Sequence, residues 1–235
     1  MKIKLIFIAF LVIFSGLIFY NLTGNMIRQE FIVSKVIDGD TIQLENGLKV
    51  RLLGINTPEK NMIYYEEAKE FLKKKIENRT IEIETNPENK IDKYDRVLAY
   101  VFLDGKFINK EILENGLGNL YYYEKDKHYS ELKNAKNYAQ TNNLGIWEKS
   151  ENFGCLSLIE LKYTEKKSCS NQEQLIINNK CARINITLKD NANHIYREEI
   201  NQGIYIKNFS CIFNDDGDNL FIWDKKGLVF YYEYL

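Results

Sequence analysis

Between residues 31 and 58 the chain turns three times in fewer than thirty residues, and that rhythm constrains its fold more than any other feature. Phe31–Ile37 is apolar and β-rich, Asp38-Gly39-Asp40 turns it, and Thr41–Leu44 continues as a strand. Glu45-Asn46-Gly47 follows, and Asn-Gly accepts the positive φ that a tight hairpin needs. Lys49–Ile55 is the next strand, stopped by the rigid pair Thr57-Pro58. Three short strands joined by such turns have to curl back on one another. The composition agrees: sixteen Tyr and thirteen Phe against two Pro favour strands.

Beyond this meander the periodicity changes. Over Tyr65–Asn78, Ala68, Phe71, Leu72 and Ile76 fall on one helical face. Thr80–Thr85 alternates Ile81 and Ile83 with Glu82 and Glu84, and Val97–Leu103 reads as a fifth strand turned by Asp104-Gly105. Asn109 is placed to cap a short helix through Ile112 and Leu113 that Gly116 stops. Ser130–Asn142 is a third helix with Leu132, Ala135 and Ala139 on one side, and Leu144-Gly145-Ile146-Trp147 closes the unit. Five strands with three helices predict a mainly β fold with α, a five-stranded barrel of the OB type over residues 31–149. Tyr129 and Tyr138 read as core, Arg79 as surface, and His128 and His194 as surface or helix-end positions that match no catalytic pattern.

After Trp147 the character changes again. Leu156–Tyr163, Leu175–Ile177, Ala182–Leu188, Gly203–Ile206, Leu220–Trp223 and Leu228–Tyr234 are strand-like, with turn residues between them. Short strands at this spacing predict a β-sandwich over residues 153–235. All four cysteines, Cys155, Cys169, Cys181 and Cys211, lie in this part. No C-x-x-C pair is present, which argues against zinc. In an exported chain the even count reads as two disulfides with three possible pairings, and in a reducing compartment as four core thiols.

Export is what the first 25 residues suggest. Lys2 and Lys4 precede an apolar run from Leu5 to Tyr20. Sixteen helical residues rise about 24 Å, slightly short of a bilayer core, which suits an uncleaved membrane anchor or a signal peptide, the plainer alternative being a buried core helix. The lysines on the leading side place the remainder outside the cytoplasm.

The formal net charge is −1. A passive nucleic-acid binder draws most of its affinity from a basic surplus, and none exists here. Any such ligand has to be held locally, at a cleft. Residues 31–150 prefer Lys to Arg by 16 to 3, yet Arg51 stands inside an apolar strand and Arg96 at the start of another. A guanidinium forks onto two phosphate oxygens where an ammonium cannot, although strand Arg also pair with core-edge carboxylates. Asp38, Asp40, Asn56, Thr57 and Glu59 supply oxygen ligands at turns, which suit a hard cation, although an Asp-Gly-Asp turn is also an ordinary hairpin feature.

Three segments bring these residues together. Val36-Ile37-Asp38-Gly39-Asp40-Thr41, Arg51-Leu52-Leu53-Gly54-Ile55-Asn56-Thr57-Pro58-Glu59 and Asp92-Lys93-Tyr94-Asp95-Arg96-Val97-Leu98-Ala99-Tyr100-Val101 resemble, in order and spacing, the signature segments of the staphylococcal nuclease family. The resemblance implies an OB-fold barrel and Ca²⁺-dependent hydrolysis of phosphodiesters in DNA and RNA. Carried over by position, Asp40, Asn56 and the Thr57 carbonyl would hold Ca²⁺. Glu59 would act as general base or orient water, and Arg51 and Arg96 would clamp the scissile phosphate. Lys93 and Tyr94 would meet the substrate's terminal phosphate or sugar, and Tyr122 would stack on a base. The family type has Asp where this chain has Asn56, so the site loses a negative charge and Ca²⁺ affinity should fall towards millimolar, or activity be lost. Softer similarity, in Asn214–Val229 and Ile159–Tyr163, is to lamin-tail domains, which are immunoglobulin-like sandwiches used for binding or tethering. The competing readings are a catalytically impaired nucleic-acid-binding module and a surface-attachment protein. A monomer is expected.

Overall fold

A computed structural model describes residues 28–85, 91–122, 125–163, 173–192, 194–210, 212–213 and 217–234. The N-terminal segment 1–25, Cys169, Cys211 and residues 214–216 lie outside the described residues. Among those described, no helix is long and apolar enough to cross a membrane.

The first unit is built from β1 (Arg28–Val36), β2 (Thr41–Leu44), β3 (Lys49–Leu52), β4 (Ile55–Asn56), β5 (Thr80–Thr85), β6 (Val97–Leu103), β7 (Lys106–Phe107) and β8 (Asn119–Leu120), with helices α1 (Tyr65–Ile76), α2 (Ile108–Glu114) and α3 (Tyr129–Thr141). Strands run in the order β3-β2-β1-β5-β6, all antiparallel. A parallel pairing of β3 with β6 (Val50 with Val97, Leu52 with Ala99) closes the ring. This is a five-stranded barrel with three helices. Closure pairs the two strands that would otherwise be edges, and Val33, Ile42, Leu44, Val50, Leu52, Ile81, Ala99 and Val101 fill the ring. Helix α1 carries Glu66 and Glu67 in its first turn and Lys73, Lys74 and Lys75 in its last, as the helix dipole favours. It lays Ala68, Leu72 and Ile76 on the barrel, each Leu or Ile contributing about 1.5–3 kcal/mol by burial.

The second unit has two antiparallel sheets. They are made of β9 (Leu156–Lys162), β10 (Glu173–Asn179), β11 (Ile184–Lys189), β12 (Ile195–Ile200), β13 (Gly203–Phe209), β14 (Asp218–Trp223) and β15 (Leu228–Tyr234). One sheet is ordered β13-β10-β9, the other β12-β11-β14-β15. Leu156, Leu175 and Ile177 from the first share a core with Ile186, Leu188, Leu220, Ile222 and Val229 from the second. Cys155 is disulfide-bonded to Cys181.

Strand β14 is buried along its whole length because both its faces are covered. Leu220 and Ile222 face the second unit's core, while Phe221 and Trp223 pack with Met62, Ala139, Ile146 and Trp147 of the first. The Trp223 indole N–H donates to the Ile146 carbonyl at 2.9 Å, and Lys136 Nζ meets Glu233 at 2.8 Å. The two units therefore share a seam.

Four local expectations are corrected. Asn109 does not cap α2: it is fully buried in the helix, accepting from the Val101 N–H and donating to the Leu53 carbonyl. His128 does stand at a helix end, but it is buried against Glu84 at 2.8 Å. Tyr138 is 57% exposed and not core. Strand β12 replaces what read as turn, because pairing with β11 fixes a segment whose own pattern, Ile195-Tyr196-Arg197-Glu198-Glu199-Ile200, is charged in the middle.

Candidate active site

The acidic turn between β1 and β2 places the first side chains. The Ile37 N–H and the Asp38 N–H both donate to the Thr41 carbonyl, at 2.9 and 3.3 Å, which folds Asp38-Gly39-Asp40 tightly. A Cβ on Gly39 would stand 2.7 Å from Thr57 Oγ1 and 2.8 Å from the Ala68 Cβ, so only glycine lets this turn pack against the Thr57 loop and α1.

Asp40, 6% exposed, is the centre of the cluster. Its Oδ2 accepts from the Thr57 N–H and the Thr57 hydroxyl, each at 2.9 Å, and its Oδ1 accepts from the Thr41 hydroxyl at 3.1 Å. Arg51, from β3, brings Nη2 to 3.1 Å of Asp40 Oδ2 and also to 3.1 Å of Asn56 Oδ1, while its Nη1 donates to the Leu52 carbonyl at 2.7 Å. Arg96 is aimed at the same place: its Nη1 donates to Thr41 Oγ1 at 3.3 Å. Asp92 holds it there, accepting from Nε at 2.8 Å and from the Arg96 N–H at 3.0 Å. Burial raises the Asp92 carboxyl, but these bonds and one from the Tyr94 N–H outweigh it and keep it below the ordinary range. Both arginines thus pair with carboxylates, the structural role open to any strand Arg, while the same pairing fixes both guanidinium planes beside one turn.

Glu59 lies half-buried in the field of the whole group. Burial raises its carboxyl and Asp40 adds to that, against the positive charges of Lys189, Arg51 and Arg96. Asp38 is pushed up to about 6, by burial first and then by the charge of Asp40. Asp40, Arg51, Asn56, Thr57, Glu59 and Arg96 are therefore brought together. Tyr94 is 61% exposed on the turn before Arg96, with the Lys93 ammonium 5.1 Å and the Arg96 guanidinium 5.3 Å from its ring centre, so this pair borders the cluster. Tyr122 belongs to another network. Its hydroxyl lies 2.8 Å from that of Tyr100 and donates to Asp126 at 3.1 Å, and its ring stands edge-on to Tyr129.

Three further residues came with no sequence signal. Asn56 Nδ2 donates to the Asn191 carbonyl at 3.0 Å, across 135 positions of sequence. Asn119 Nδ2 donates to Asn191 Oδ1 at 3.0 Å. Lys189, at the end of β11, is 6% exposed and within electrostatic reach of Glu59 and Asp40. A cavity of about 20 Å³ is lined by Asn56, Thr57 and Pro58 of the first unit and by Lys189, Asp190 and Asn191 of the second.

Among the described residues no three His, Cys, Asp or Glu side chains converge as a metal cluster. The donor set is nevertheless that of a hard cation. A single Arg51 nitrogen touches both a carboxylate oxygen of Asp40 and the amide oxygen of Asn56, so these oxygens lie close together, and the Asp38 carboxyl, raised by burial first and then by the charge of Asp40, lies beside them. Asp40, Asn56 and Thr57 thus offer the oxygen donors that suit a divalent ion.

The family described as staphylococcal nuclease homologue matches residues 49–149. A thermonuclease of Staphylococcus intermedius is 35% identical over 131 residues, covering 52% of this chain and 77% of that protein. A second, from Staphylococcus hyicus, is 32% identical over 134 residues, 53% of this chain and 79% of the relative. The endonuclease YncB of Bacillus subtilis is 34% identical over 129 residues, 50% of this chain and 61% of the relative. With the closed barrel, the spacing of the three segments and these relatives in agreement, the chain belongs to the staphylococcal nuclease homologue family.

Proposed function

We propose that the chain is a Ca²⁺-dependent nuclease that hydrolyses phosphodiester bonds of DNA or RNA outside the cytoplasm. The observation that carries this is the gathering of Arg51 on Asp40 and Arg96 on the neighbouring Thr41, with Glu59 within electrostatic reach of Asp40 and of both guanidinium groups. The named activities of the thermonuclease and endonuclease relatives support it.

Asp40, Asn56 and the Thr57 carbonyl would hold the ion, which when bound supplies charge against the phosphate oxygens. Arg51 and Arg96, fixed by Asp40 and Asp92, present N–H donors to the equatorial oxygens, where charge builds as water adds to phosphorus. Because their planes are already held, little reorganisation accompanies the reaction. Glu59 accepts a hydrogen bond from the attacking water and takes its proton. Burial and Asp40 raise its basicity, against the charges of Lys189, Arg51 and Arg96. Lys93 and Tyr94 meet the next phosphate or sugar, and Tyr122 a base. The N-terminal apolar segment anchors or exports the chain. The second unit, read as a lamin-tail-like immunoglobulin sandwich, tethers it.

One observation favours the impaired-binder reading: Asn56 brings an amide where the family carries a carboxylate. Incubation of the purified protein with end-labelled single-stranded DNA and RNA, in millimolar Ca²⁺ and in chelator, decides. Cleavage is expected in Ca²⁺ alone. Intact substrate in both conditions would sink the enzyme reading.

A further inference from the structure

We propose that the Lys189–Asn191 corner of the second unit is a working wall of the nuclease site, and that it sets how much calcium the site needs. The inference rests on the nuclease reading and goes beyond it, because it gives a role to residues far outside the segment that matches the family.

The Asn56 amide is committed at both ends. Its oxygen accepts from Arg51 and its nitrogen donates to the Asn191 carbonyl. A carboxylate has no proton to offer that carbonyl, so Asp at 56 would set two acceptor oxygens against each other. The departure from the family pattern thus has a partner, and the partner belongs to the other unit. Asn191 is itself clasped from both sides: its N–H donates to Asp218 at 2.9 Å, and its side-chain oxygen accepts from Asn119 of β8.

Lys189 completes the corner. Its ammonium donates to the carbonyls of Asp190, at 3.2 Å, and Ala192, which hold it buried in the lining of the cavity that Asn56 and Thr57 also line. The pocket has therefore lost a negative charge at 56, and at 189 it holds a buried ammonium whose pKa burial lowers, against the charges of Asp190, Glu59, Asp218 and Asp40 that favour its protonated form. Both changes oppose a divalent cation, since ligand charge sets affinity. Lys189 acts here as a positioning charge and not as a catalytic residue.

The test is calorimetric titration of the full chain with CaCl₂, comparing wild type with Lys189→Met, Lys189→Arg and Asn56→Asp, and a thermal melt of each. Lys189→Met is expected to bind Ca²⁺ about tenfold more tightly, the scale of one unit charge acting across a partly buried pocket. Lys189→Arg keeps the charge and should match wild type. Asn56→Asp should bind more tightly and yet melt lower by about 3–8 °C, because the Asn191 carbonyl loses its donor. Equal Ca²⁺ affinity in wild type, Lys189→Met and Lys189→Arg overturns the inference alone. If Lys189→Met fails to fold, Asn56→Asp decides, and an unchanged melt there overturns the clasp. Absence of Ca²⁺ heat in every variant overturns the calcium reading and the inference with it.

Discussion

Replacing Arg51 by Lys keeps the charge and removes the fork, so it isolates what the guanidinium plane contributes. Arg51 now reaches three acceptors at once: the Leu52 carbonyl at 2.7 Å and the oxygens of Asp40 and Asn56 at 3.1 Å each. An ammonium on a shorter stem keeps one of these and cannot present a second N–H to a phosphate oxygen. Loss of one such donor from a developing phosphorane costs about 2.7–4 kcal/mol, or about 10²–10³ in kcat. The folded state loses less, about 1–2 kcal/mol, because Asp40 retains a positive neighbour and its bonds to Thr41 and Thr57. In a chain of this size that corresponds to about 2–8 °C in Tm. The assay is cleavage of end-labelled single-stranded DNA in saturating Ca²⁺, with kcat and KM separated and a melt recorded on the same sample. If kcat of the Arg51→Lys variant stayed within about fivefold of wild type and its melt were normal, the argument that a fixed, planar donor pair drives the reaction would be refuted.

Two stability predictions stand on features away from the site. Buried Glu84 is raised by burial but held below the ordinary range overall by Lys127 (2.9 Å), His128 (2.8 Å) and Arg28 (3.2 Å). With its folded pKa depressed, its contribution is present above the unfolded value of about 4.3 and is lost as pH falls through the folded value. Glu84→Gln should therefore cost about 1–3 kcal/mol at pH 7 and much less at pH 3, read by urea unfolding; an equal cost at both would contradict it. Cys155→Ser opens a loop of 26 residues and should lower stability by about 3–4 kcal/mol, to be matched by wild type in reductant. A melt unchanged by both treatments would remove the disulfide from the account.

Much of the barrel was legible because its signals are local. Gly39, Asn46-Gly47 and Pro58 each fix a turn within a few residues, and α1 shows its apolar stripe in a twelve-residue window. Arg51 and Arg96 were visible because they break a Lys preference. What stayed hidden depends on distant partners. Nothing in Ile195–Ile200 announces a strand until β11 pairs with it. His128 became a core residue only through Glu84, 44 positions away. Lys189 and Asn191 carry no motif, and they join the site because β14 docks on Trp147 and carries the β11 corner towards Asn56. Tyr138 failed in the opposite sense: an aromatic in an amphipathic helix suggested burial, but its position faces water.

Strand β14 has one more consequence. With one face turned to each unit, it is a place where a change of side-chain volume is transmitted both ways. Shaving Trp223 would loosen the carbonyl of Ile146 on one side and the β11 ladder on the other. Cutting the chain near residue 150 would strip Trp147 and Ile146 of their cover, leaving a greasy scar that invites self-association. Engineering aimed at a minimal catalytic fragment should therefore begin by repainting that scar with polar residues.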